Sequence, residues 1–95
     1  MNELNIIRIN EALNILKAQI DSLDRKHPRW VYLVSIESKL KSTLDNMTKN
    51  ILEKQYRKWE EYIKIEDKYL ERKDYELDMC FGQWLIKNNY VNAHR

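Results

Sequence analysis

Glycine, proline and cysteine each occur once in this chain of 95 residues. Sheets joined by tight turns draw heavily on glycine and proline. Their scarcity excludes a turn-rich β architecture and predicts an all-α chain. A single glycine also excludes a glycine-rich phosphate loop, and no Gly-x-Ser-x-Gly nucleophile turn is present. The lone Cys80 cannot form an internal disulfide. It lies in an apolar run and is expected to be buried. The two histidines, His27 and His94, stand apart from each other and from Cys80, so no metal-ligand spacing exists. No apolar run reaches the roughly 18 residues a membrane span requires. The start, with Asn2 and Glu3, has no apolar leader segment, so the expected location is the cytoplasm. No cofactor or metal is expected, and no residue set points to a reaction.

Paired carboxylates occur at Glu60-Glu61 and Glu66-Asp67, but they lie among lysines on a charged helical stretch. A solvated face explains them better than acid–base catalysis.

What the chain does have is helical order. Glu37, Lys41, Asp45, Lys49, Glu53, Arg57 and Glu61 alternate in sign at four-residue spacing. Residues four apart are neighbours on a helix and not on a strand. The ladder predicts one long helix over residues 30–73, about 65 Å from end to end. Trp30-Val31-Tyr32-Leu33-Val34 has strand-like composition, but no partner strand occurs elsewhere and helix is retained.

Ahead of it, Ile6, Ile9, Leu13, Leu16, Ile20 and Leu23 recur at alternating three- and four-residue spacing, which predicts a helix over residues 2–24. Ile7, Ala12, Ile15 and Ala18 widen its apolar face, so it should pack on more than one neighbour. Pro28 disfavours helix at His27 and suits a first helical turn, which places a turn at residues 25–29. His27 reads as a solvated turn residue. Folded antiparallel about Pro28, the seams match in constant register: Leu23 with Leu33, Ile20 with Ile36, Leu16 with Leu40, Leu13 with Leu44, Ile9 with Met47 and Ile6 with Ile51. The expected fold is therefore an all-α, antiparallel helical hairpin in one domain.

Beyond Ile51 the first helix has run out. A C-terminal helix over residues 75–89, capped by Asp74, would fold back and set Leu70 by Leu77, Ile63 by Trp84 and Tyr56 by Val91. The alternative carries the long helix on to a stop at Gly82 and leaves the cover to a partner chain. Residues 90–95 read as a fraying tail. The result is a three-helix bundle or coiled-coil-like assembly. Trp59, Tyr62, Ile63, Ile65, Tyr69 and Leu70 form an apolar surface larger than one short helix covers, which predicts self-association as a homodimer.

Net charge is only +2, yet it is unevenly distributed. Residues 25–58 carry nine basic and three acidic groups, whereas residues 59–79 carry four basic and eight acidic. The expected partner surface is Arg25, Lys26, Arg29, Lys54, Arg57 and Lys58. Two of these clusters adjoin aromatics, Trp30 in one and Tyr56 with Trp59 in the other, so nucleic acid is the alternative partner. Glu53, Glu60 and Glu61 beside the second cluster oppose phosphate. The acidic stretch from Glu60 to Asp78 argues against a membrane-surface helix.

In size and helix order the chain resembles the small all-helical chorismate mutases. That resemblance would imply several Arg and Lys groups directed into a helical core. Here Arg8 and Lys17 lie off the heptad seam, and the family's motif is not matched. The reading that remains is a non-catalytic helical protein that binds a larger protein or assembly. An inhibitor or adaptor of the kind phages and mobile elements encode would look like this.

Overall fold

The computed structural model describes residues 3–56 and 58–91. The order is α1 (Glu3–Asp21), α2 (Pro28–Gln55), α3 (Trp59–Leu70), a single 3-10 turn (Asp74–Glu76) and α4 (Phe81–Lys87). No strand occurs among the described residues.

The first turn is built from local hydrogen bonds. α1 ends at Asp21, three residues before the expected Asp24, and Leu23 N–H still donates to Ile20 O at 3.1 Å. Asp24 accepts the Lys26 amide at 3.0 Å, while the His27 amide donates back to Asp24 O at 2.9 Å. His27 is exposed, as expected for a turn, but it also works as the N-cap of α2. Its Nδ1 accepts the Arg29 amide at 3.0 Å, with Pro28 at the first helical position. That is the role Asp, Asn or Ser usually fills.

α1 packs directly on α2. None of the seam residues named above is exposed on either helix. Burial is uneven, however. Ile6 and Leu13 from α1 join Leu44, Met47 and Leu52 from α2 in the core. Leu16, Leu23, Leu33 and Ile36, towards the turn, lie outside it and are only half-buried.

The long helix of residues 30–73 is corrected: α2 stops at Gln55. Tyr56 (φ −108°, ψ 91°) and Lys58 (φ −90°, ψ 121°) are extended, and α3 starts afresh at Trp59. The four-residue ladder therefore does not run on unbroken from α2 into α3. The reason lies in burial. A straight continuation would carry Tyr62 about 16 Å beyond Ile51, past the end of α1 and into water. The break returns Tyr62 and Ile65 to the core, where they are 2% and 6% exposed. Glu60 and Glu61 then fall in the first turn of α3, where negative charge suits the helix N-terminus.

The C-terminal helix of residues 75–89 is also corrected. Its start is the 3-10 turn, and α4 covers only Phe81–Lys87. Asp74 does not cap α4; the N-cap position is Cys80, which offers no side-chain cap. The carboxylate of Asp45 on α2 supplies it instead, accepting the Gly82 amide at 2.7 Å. Gly82, a helix stop only in the alternative reading, sits in the first turn of α4, where only a glycine fits. A Cβ would stand 2.8 Å from Leu44 Cγ.

α4 ends through Asn89, whose φ of 63° lets Tyr90 N–H reach Leu85 O at 3.0 Å. The expected tail begins later than residue 90. Tyr90 stacks on Trp84 with ring centroids 5.5 Å apart, and Val91 is 1% exposed. Residues 92–95 lie outside the described part. Leu70 and Leu77, expected to meet, are both exposed. Tyr69 takes the inner place instead, packing on Phe81 and Trp84 and donating its hydroxyl to Met79 O at 2.9 Å.

Candidate interaction surfaces

The core gathers where α1 starts and α2 ends, together with α3 and α4. This leaves three surface regions with distinct chemistry.

The first is the outer face of α2. Between Pro28 and Asn50 its exposed charged residues are Arg29, Lys39 and Lys49, and none is acidic. The intervening exposed positions include Ser35, Ser38, Ser42, Thr43 and Asn46. The acidic groups of this stretch are turned inward. Glu37 lies 3.6 Å from Lys41, and Asp45 holds the Gly82 amide. The alternating ladder concealed this segregation, because four-residue spacing says which residues adjoin and not which of them meet α1 and α4.

The predicted basic residues fall at both ends of that face. Arg25, Lys26 and Arg29 are exposed at the turn. Lys54 is exposed in the last turn of α2, and Lys58 just beyond it. Arg57 lies outside the described residues. The two clusters are separated by most of α2, about 40 Å for a helix of 28 residues. They are the ends of one surface and not a single site.

The second region is α3. Its apolar face divides in two. Tyr62 and Ile65 enter the core, and Tyr69 is half-buried. Burial pushes the Tyr62 hydroxyl well above its ordinary pKa, with Glu66 adding to the effect. Trp59, Ile63 and Leu70 form an adjacent stripe that stays 66%, 37% and 72% exposed. Helical spacing puts Glu60, Asp67 and Glu71 along one side of that stripe, all exposed. Trp59 is steadied by stacking on Tyr62, with centroids 5.4 Å apart.

The third region is a cleft of about 430 Å³ between α1, α2 and the segment leading into α4. Leu13, Ile20 and Ile86 supply apolar wall, and Asn10, Asn14 and Gln83 supply amides. Its charges are already matched. Lys17 pairs with Asp78, which raises the lysine pKa and lowers that of the carboxyl. Lys41 donates to Asp78 O at 3.4 Å and lies beside Glu37. Glu37 and Lys41 are neighbours on the four-residue ladder, but the contacts of Lys17 and Lys41 with Asp78 were not foreseen from sequence. They join residues far apart in the chain, and no local pattern encodes them.

Reactive chemistry is sparse. Burial pushes the Cys80 thiol up to about 12, so it stays protonated and weakly nucleophilic at neutral pH. Among the described residues no three His, Cys, Asp or Glu side chains gather as metal ligands. No described helix is long and apolar enough to cross a membrane. No protein-family model, curated protein or solved structure matches the chain.

Proposed function

We propose that this chain is a non-catalytic helical interaction protein that binds a larger cytoplasmic protein or assembly, in the manner of a small phage or mobile-element inhibitor or adaptor. The observation that supports it is the outer face of α2 between Pro28 and Asn50, where every exposed charged residue is basic before the exposed Glu53, with Arg25, Lys26 and Arg29 exposed at one end and Lys54 and Lys58 at the other. Matched charge on an acidic partner would speed encounter more than it adds affinity. The reading includes the antiparallel α1–α2 register, which would hold this face straight.

A second reading has support from the same face. Lysine, arginine, hydroxyl and amide groups are the side chains that contact nucleic-acid phosphates. Capture from lysate with and without nuclease separates the two. A protein retained after nuclease, whose association slows with Lys39→Glu/Lys49→Glu, supports the protein partner. Binding to a generic duplex that weakens by nearly one power of salt concentration per phosphate contact supports nucleic acid. Binding indifferent to both charge reversal and salt overturns the use of this face.

A further inference from the structure

The turn end of the α1–α2 pair is incompletely covered. Leu16, Leu23, Leu33 and Ile36 are only half-buried, while Val31 and Tyr32 are 64% and 65% exposed. A groove of about 360 Å³ runs there, lined by Gln19, Ser22, Leu23, Arg29, Tyr32 and Leu33. Two helices alone leave the sides of their seam open, and a third helix is the ordinary cover. Among the described residues none arrives, because α4 packs on the other half of α2, around Leu44 and Asp45.

At the far end of the molecule α3 presents the reverse. Its exposed stripe of Trp59, Ile63 and Leu70 has no cover. α3 has 12 residues, about 18 Å, and the uncovered part of α2 from Pro28 to Leu40 is about 20 Å long. The signs of charge also match. Glu60, Asp67 and Glu71 edge the stripe, while Arg29 lines the groove and Arg25 and Lys26 are exposed in the turn that leads to it. One chain cannot join its own two surfaces, since α3 begins beyond the opposite end of α2.

We propose that a second copy of this chain covers both. In a two-fold pair, α3 of each copy lies in the turn-end groove of the other, as the third helix of that seam. Leu70 and Trp59 fill the space beside Leu23, Leu33 and Tyr32, and the acidic edge meets the basic turn. The contact forms twice, as a closed two-fold interface requires. Pairing α3 on α3 antiparallel would instead bring the same acidic edges together, which charge disfavours. The arrangement goes beyond the foreign partner: it uses Arg25, Lys26 and Arg29 and leaves Lys39, Lys49 and Lys54 on the outer face free for that partner.

The test is the mass of the full chain in solution across the micromolar range, by sedimentation equilibrium. The expected mass is twice the 11.7 kDa of one chain. Leu70→Glu should give a monomer with unchanged helicity, because the residue is exposed. Charge reversal of the α3 edge (Glu60→Lys/Asp67→Lys/Glu71→Lys) should weaken the pair by about tenfold or more, and reversal of the turn (Arg25→Glu/Arg29→Glu) likewise. Mixing those two variants should restore it, since both contacts then join opposite charges. A monomer at every concentration overturns the proposal. So does a dimer unaffected by Leu70→Glu, or the absence of recovery on mixing. Lys39→Glu/Lys49→Glu should leave the dimer intact, so its loss of foreign binding reports on the proposed function alone.

Discussion

The amide of Gly82 donates to the carboxylate of Asp45 at 2.7 Å, and this bond joins the first turn of α4 to the middle of α2. It satisfies one of the amides a helix leaves unpaired at its start. It also brings the two backbones so close that no side chain fits between them. Gly82→Ala should therefore destabilise the chain by about 1–3 kcal/mol, as overpacking does. Better helix propensity would return roughly 1 kcal/mol at most. The 2.8 Å approach to Leu44, itself fully buried, decides the sign. Urea unfolding measures the loss, and an alanine variant more stable than the parent would refute the close packing.

Asp45→Ala removes the same bond from the other side. It should cost about 1 kcal/mol, the usual effect of losing a helix cap. Asp45→Asn, which keeps an oxygen acceptor, should recover most of that in the same assay.

The seam should not be uniform in its sensitivity. Leu13 is 1% exposed in the core, whereas Leu16 is half-buried outside it. Leu13→Ala should cost about 2–5 kcal/mol, and Leu16→Ala distinctly less. Leu16→Lys should still lower stability, because it sets a charge on a partly covered seam. Equal midpoints for the two alanine variants would contradict the uneven cover.

Lys17 and Asp78 give a small pH effect with a definite sign. Pairing holds the Asp78 carboxyl below its ordinary range and raises the Lys17 amine. A depressed carboxyl contributes stability above its unfolded pKa, near pH 4, and loses it as pH falls. A raised amine contributes below its unfolded pKa, near 10.5, and loses it as pH climbs higher. Both side chains are more than half exposed, so Lys17→Ala should cost at most about 1 kcal/mol at pH 7. The difference from the parent should shrink as pH falls from 7 to 3, because the Asp78 carboxyl protonates below its ordinary range. Urea midpoints of both proteins at pH 7 and pH 3 provide the comparison.

Cys80 should resist alkylation. With its thiol pushed up to about 12 and its side chain half-buried, little thiolate forms at pH 8. Labelling of the native chain by iodoacetamide should be slow and should become fast in denaturant. Fast native labelling would mean that the segment before α4 opens readily.

Much of the helical order was written locally. Apolar spacing along residues 6–23 and 33–51, together with Pro28, defined a first helix, a turn and a second helix, because periodicity and backbone restriction act over a few residues. The break at Tyr56–Lys58 had no such mark. It contains no glycine or proline, and it exists because Tyr62 and Ile65 gain burial by turning back. Gly82 carried a local meaning, helix stop, that the approach of α2 overrode. Spacing set Trp59, Ile63 and Leu70 on the seam of α3 and Tyr62, Ile65 and Tyr69 on the strip beside it, and the structure turns the second strip inward instead. The first three stayed exposed because α4 and its leading segment reach only one side of that helix.

The sequence by itself determined an all-α chain, its first turn and the apolar stripe along each of the first two helices, since these follow from neighbours along one helix. Tertiary structure alone decided where the second helix ends, how Asp45 caps α4 and which side of α3 meets water. It also decided that Glu37 and Asp45 face inward and leave the exposed charges of α2 between Pro28 and Asn50 basic. Each of these depends on which distant segment arrives, and no pattern of spacing within a helix carries that information.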